Sequence, residues 1–296
     1  MLPGGKLPPR KMDISEAIKQ GRFDEALAAA KDAVRKAPTE AGHRSVLFQL
    51  YCLQGNWEGA QTQLKLVGDL DVETTMWAGV CEKLMACEAH RRQVYAGEKP
   101  PTFFGEPPAW VGDTMESFRL GLAGQWEAAA ASQARALEAA PAVPLSVNGM
   151  EAEWVADADS RFGPLLEAFV DGKYFWIPFE HVRELTPRPR THLMDAIWAP
   201  VDFEWLNQGK AAGFIPVRYF GSETHPDGMV RVGRKTEWEQ KTENFYIGAG
   251  QRTLATCADD VPILELKTLV FKHPDQPMNF GGAASVDESA ETLSDI

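Results

Sequence analysis

The chain has 296 residues, 44% of them hydrophobic, which is enough for two domains with proper cores. Its formal charge of −12 and lack of a basic run argue against nucleic acid as a partner. No apolar run marks the chain for export or for a membrane, and Cys52, Cys81, Cys87 and Cys257 lack paired C-x-x-C spacing. They read as reduced, buried thiols of a cytoplasmic protein.

Residues 1–12 carry Lys6, Arg10, Lys11 and three prolines, and read as a flexible arm. From 13 to 145 the pattern is helical. The phrases GRFDEA, GNWEGA and GQWEAA begin at Gly21, Gly55 and Gly124, separated by 34 and 69 residues, one and nearly two periods of a helical repeat. Glycine lets the chain turn between antiparallel helices, Phe23, Trp57 and Trp126 plug the space beside each turn, and Ala26, Ala60 and Ala129 allow close approach. Pro38 and Pro141 stop the second helix of their units. This is the pattern of a tetratricopeptide-like array. One period lacks the turn phrase and runs instead into a proline-rich loop, residues 96–108, carrying Phe103 and Phe104.

After Pro144 the pattern changes. The stretch DSRFGPLLEAFVDGKYF predicts one capped helix, starting at Asp159 or Ser160 and stopped by Gly172, that feeds a strand at residues 174–177. Beyond it, DAIWAPVDFEW, GFIPVRYF, TENFYIG and ILELKTLVF are short β-branched or aromatic runs between turn signals. The expectation for 146–272 is therefore an α+β domain, with a leading helix and a small, mainly antiparallel sheet or barrel. Residues 273–296 hold five acids and no lysine or arginine, the composition of a disordered acidic tail.

No constellation of catalytic residues emerges. The histidines at 43, 90, 181, 192, 225 and 273 are scattered without metal-ligand spacing, so neither a metal nor a cofactor is expected. Gly248-x-Gly250 lacks the helix and lysine of a phosphate loop and reads as a hairpin turn. Glu180, His181 and Asp195 form a weak acid–base trio at best. Arg218, Glu223, Glu237 and Arg252 read first as internal ion pairs, second as charges displayed to a partner.

GKYFWIPFE from Gly172, WAP from Trp198, GFIPVRYFGSE from Gly213, KTEW from Lys235 and GQR from Gly250 together resemble the ImpE/TagJ family of type VI secretion accessory proteins. Lys267 stands where that pattern leads one to expect arginine. The resemblance implies a non-enzymatic cytoplasmic accessory that binds the small sheath subunit TssB near the ATPase that recycles contracted sheath. On this reading the helical array forms the floor of the partner site. Trp77, Val80 and Leu84 with Phe103 and Phe104 are candidate walls, and Arg218, Glu223 and Arg252 are the alternative set on the sheet domain. The rival readings are a general tetratricopeptide peptide-binding scaffold or co-chaperone, and an enzyme in the second domain.

Overall fold

The computed structural model describes residues 13–70, 75–190 and 192–273; the arm at 1–12 and, past His273, the acidic tail lie outside them. Seven helices come first: α1 (Ile14–Lys19), α2 (Phe23–Lys36), α3 (Ala41–Gln54), α4 (Trp57–Leu70), α5 (Thr75–Tyr95), α6 (Val111–Leu122) and α7 (Trp126–Ala139). Three helix pairs turn at Gly21, Gly55 and Gly124, at φ of +71°, +75° and +72°, where a Cβ would be strained. Each glycine N–H bonds the carbonyl three residues back and the next N–H the carbonyl five back: Gly21 to Ile18 and Arg22 to Ala17, Gly55 to Cys52 and Asn56 to Tyr51, Gly124 to Gly121 and Gln125 to Leu120. This double closure satisfies the carbonyls that each helix end would leave orphaned. The alanine that follows each turn aromatic by three positions has no exposed surface at all: Ala26, Ala60 and Ala129 are each 0% exposed, which is why nothing larger fits there.

The loop after α5 contributes a short strand, β1 (Thr102–Phe103), to the sheet that follows. The sheet also contains β2 (Leu145–Val147), β3 (Met150–Ala152), β5 (Leu165–Val170), β6 (Lys173–Pro178), β7 (Val182–Pro187), β8 (Trp198–Trp205), β9 (Lys210–Pro216) and β14 (Leu269–Phe271), while β4 (Val155–Asp157), between β3 and β5 in the chain, belongs to another sheet. The order is β1-β6-β5-β9-β8-β7-β14-β2-β3, antiparallel except for the β1–β6 pair. A hairpin of β10 (Thr236–Thr242) with β11 (Phe245–Gly250), and a small sheet ordered β13 (Asp260–Pro262), β12 (Thr253–Thr256), β4, complete the α+β architecture with the short helix α8 (Gly228–Arg231). The nine-stranded sheet is open rather than a closed barrel.

One expectation fails outright. The segment expected to be the leading helix is strand β5, all six of whose residues are buried. Leu165 and Phe169 face the helices, and Leu166, Ala168 and Val170 face an aliphatic core on the other side. A strand buried on both faces loses the polar alternation that normally reveals it. Asp171 and Gly172 do not stop a helix but form a two-residue hairpin turn into β6, at φ of +50° and +72°. In ILELKTLVF only Leu269–Phe271 is strand.

Candidate interaction site

The structure separates the residues nominated by the sequence into an inner set and a surface set. On α5, Leu84 is buried, while Trp77 and Val80 are half-buried, with the Trp77 ring edge-on to Phe48 at 5.4 Å. Phe103 lies edge-on to Trp176 at 6.4 Å, and Phe104 stacks on Trp205 at 4.0 Å. These five side chains close the cores of the two halves and do not converge on one open groove. Of the turn aromatics, Phe23 is 2% exposed, whereas Trp57 and Trp126 are half-buried beneath Arg92 and Lys241, at 5.3 and 4.9 Å from the ring centroids. Cys52, Cys81 and Cys87 are buried, but Cys257 is exposed, contrary to expectation, because it sits just past the end of β12.

Arg252 is fully buried, so direct display to a partner is ruled out by its packing. It belongs to a charge cluster at the seam between the helices and the sheet. Arg91 of α5 donates Nε and Nη2 to the two carboxylate oxygens of Glu167 on β5, both at 2.9 Å, and Nη2 also donates to the Arg218 carbonyl at 3.0 Å. Arg252 pairs with Glu167 and Asp157, and its Nε donates to the Pro216 carbonyl at 3.1 Å. Tyr174 donates to Glu167, Tyr219 donates to Asp157 at 2.8 Å, and Trp198 Nε1 donates to Glu88 at 2.9 Å. Arg218 spans the seam as well, donating Nη1 to the carbonyls of Leu53 and Arg231 at 3.0 and 2.5 Å. Half-buried Glu223 packs beside Gly55.

Burial alone would push the Glu167 carboxyl up, but Arg91 and Arg252 outweigh it and hold its pKa at about 2. For Asp157 burial prevails over Arg252, and neighbouring Asp159 adds to it, so its pKa rises to about 6. Both are ionised at neutral pH and matched by guanidinium groups, so the cluster ties the halves together, and its arginines, acids and tyrosines are already committed to one another. Elsewhere, Glu180 accepts from Trp110 Nε1 at 2.7 Å, the His181 ring meets the Phe104 carbonyl at 3.0 Å, and Asp195 accepts the His192 N–H at 2.9 Å. Among the described residues no group of histidine, cysteine, aspartate and glutamate is arranged to hold a metal, and no helix is long and apolar enough to cross a membrane.

An open apolar trough of about 520 Å³ lies between α7 and β4, lined by Ala130, Ala134 and Leu137 on the helix, by Trp154 just before the strand and by Val155 and Ala156 on it. Leu137 and Trp154 are 50% and 38% exposed at its lips. In its wall Gln133 is 3% exposed, yet among the described residues neither its amide nitrogen nor its oxygen has a hydrogen-bond partner. A buried amide without partners costs roughly 1–3 kcal/mol, and a polar side chain of a bound ligand would relieve that cost. β4 is an edge strand: Ala158 N–H bonds Thr253 O toward β12, and Asp157 N–H turns the other way to Gly163. None of the partner-site residues nominated from the sequence lines this trough. The available signal is the run of alanines in EAAAASQARALEAA, which leaves a smooth helix face without large side chains to fill it.

The chain is similar to known proteins over both halves. Residues 149–270 match the ImpE protein family, and residues 17–84 match the tetratricopeptide repeat. Over 264 residues it is 37% identical to the type VI secretion system accessory component TagJ of Pseudomonas aeruginosa, covering 89% of this chain and 92% of that one. The crystal structure of protein VPA1032 from Vibrio parahaemolyticus has the same fold, with a TM-score of 0.79, 24% identity, and coverage of 89% of this chain and 98% of that one. A repeat half, a sheet half and this degree of identity across both place the chain in the ImpE/TagJ family of type VI secretion accessory proteins.

Proposed function

We propose that the protein is a cytoplasmic, non-enzymatic adaptor of a type VI secretion system, holding an amphipathic helix of the small sheath subunit TssB near the sheath-recycling ATPase. The observation that carries this reading is the trough between α7 and β4. It combines an alanine floor that lets a second helix approach closely, two exposed apolar lips, and the unpartnered Gln133 amide. The shared family with TagJ supports the accessory role. The net charge of −12 favours a helix with basic flanks, whose association is fast at low salt and slows as salt screens it. Trp77, Val80, Leu84, Phe103 and Phe104 then act behind the site by fixing the helices that carry it, and Arg218 and Arg252 by locking those helices to the sheet.

Calorimetric titration of a synthetic terminal helix of TssB into the full chain tests this. Binding is expected, and Trp154→Ala should weaken it by about 2 kcal/mol, close to thirtyfold. Ala134→Trp, which fills the trough, should abolish it. No binding to the folded wild-type chain would sink the proposal; binding that both variants leave unchanged would move the helix off the trough.

A further inference from the structure

A second cleft of about 730 Å³ lies between α1 and α3 and the loops of the sheet. Its floor is apolar, with Ile18, Leu53 and Val232 buried there. Its rim is basic: exposed Lys19, Arg190 and Arg234 line it against one acid, Glu265. In a chain with 42 acids and 30 bases, that local reversal of sign stands out. Among the described residues none of the three cations has a carboxylate at ion-pair distance. Arg190 donates to the Leu264 carbonyl, at 2.5 Å. Elsewhere Arg22 pairs with Glu25, Arg119 with Glu116 and Arg188 with Asp202.

We propose that this cleft is the docking site of the chain's own carboxy-terminal segment, residues 274–296. Charge complementarity identifies the occupant. The segment holds Asp275, Asp287, Glu288, Glu291 and Asp295 with no lysine, arginine or histidine, and it intersperses Met278, Phe280, Leu293 and Ile296 that suit the apolar floor. Tethering supplies the rest. Twenty-three residues reach up to roughly 75 Å when extended, so the distance to the cleft is no obstacle, and attachment gives the segment a high effective concentration there. Each acid set against an unpaired, exposed cation gains a modest, salt-sensitive attraction, so the contact is reversible. This site shares no residue with the trough between α7 and β4, so the two proposals stand or fall separately.

Zero-length carbodiimide cross-linking of the full chain, mapped by mass spectrometry, tests the assignment, because Lys19 is the one lysine in the cleft rim. The expected result is a dominant link between Lys19 and acids of residues 287–295. Its yield should drop about tenfold in 1 M salt, where the screening length is only about 3 Å. The same drop should appear in the full-length double variant Arg190→Glu/Arg234→Glu, whose fold is checked by circular dichroism. An excess of synthetic peptide 274–296 should compete the link away. Tail acids linked equally to exposed Lys31, Lys65 and Lys99 would overturn the proposal, as would a yield unchanged by charge reversal. Mixing isotopically labelled with unlabelled chains detects links between copies, and a predominance of those would overturn the intramolecular contact.

Discussion

The two faces of the central sheet are buried by different means. Toward the helices it presents Glu167, Tyr174, Trp176 and Trp198, which meet Arg91, Glu88 and Arg252 in a connected polar cluster. On the other face Leu166, Ala168, Val170, Ile177 and Val201 form a core of aliphatic contacts. Apolar packing is stabilising but tolerant of small slips, whereas ion pairs in a dry site demand a fixed geometry. The charged face therefore sets how the repeat array sits on the sheet, and the aliphatic face holds the sheet itself. This bears on the proposed adaptor role, because the trough is walled by α7 on one side and β4 on the other, and a seam that holds the helices against the sheet would set its width.

Single substitutions on the two faces sharpen the contrast. Arg91→Met strands part of the Glu167 charge in the interior and should cost about 3–5 kcal/mol in urea denaturation. Leu166→Ala, at a site with 0% exposure on the aliphatic face, should cost about 2–5 kcal/mol through a cavity alone. The distinguishing readout is binding of the TssB helix under conditions where both variants remain folded. The first should weaken it by loosening the seam, and the second should leave it near the wild-type value. Equal binding by both would show that the seam does not govern the trough.

The helical half is readable because its rules are local. A glycine at positive φ, an aromatic two residues on and an alanine three further fix each turn within six residues, and the family phrases fix the second half at a similar range. The rest depends on partners distant in the chain. β5 reads as a helix because both its faces are covered by segments the sequence does not place beside it, and no local signal sets Glu167 against Arg91, 76 residues away. Arg218 and Arg252 read as charges to be matched, yet spacing does not assign their acids. The trough escapes a reading of the sequence because it is defined by small side chains, which leave no signal of their own.

The repeat turns offer a graded version of the same comparison. Phe23 is 2% exposed, while Trp57 is half-buried with Arg92 across its ring. Trp57→Ala should therefore cost about 2 kcal/mol, below the roughly 3–5 expected for a fully buried ring such as Phe23 in Phe23→Ala. Thermal or urea unfolding of the two variants measures the difference. A Trp57 variant as damaging as the Phe23 one would mean that the ring is sealed by more than its visible neighbours.

The smallest effect concerns pH, and it separates two acids within the charged face. Glu167 has its pKa lowered from 4.5 to about 2, so its contribution is fully present above pH 4.5 and is lost as pH falls through 2. Asp157 runs the other way. With its pKa raised from 3.8 to about 6, the folded state binds more protons than the unfolded between those values, and stability falls as pH rises through that window. A tenfold difference in proton affinity between the two states is worth ~1.4 kcal/mol, and an effect of about that size should be visible. Urea midpoints of the wild type and Asp157→Asn, followed from pH 4 to 7, isolate it, because groups that titrate alike in both proteins cancel. The wild type should lose stability relative to the variant across this range and level off above pH 6. A difference that is flat with pH, or that grows in favour of the wild type, would mean that Arg252 and Tyr219 keep Asp157 ionised throughout, and both acids would then respond to pH in the same sense.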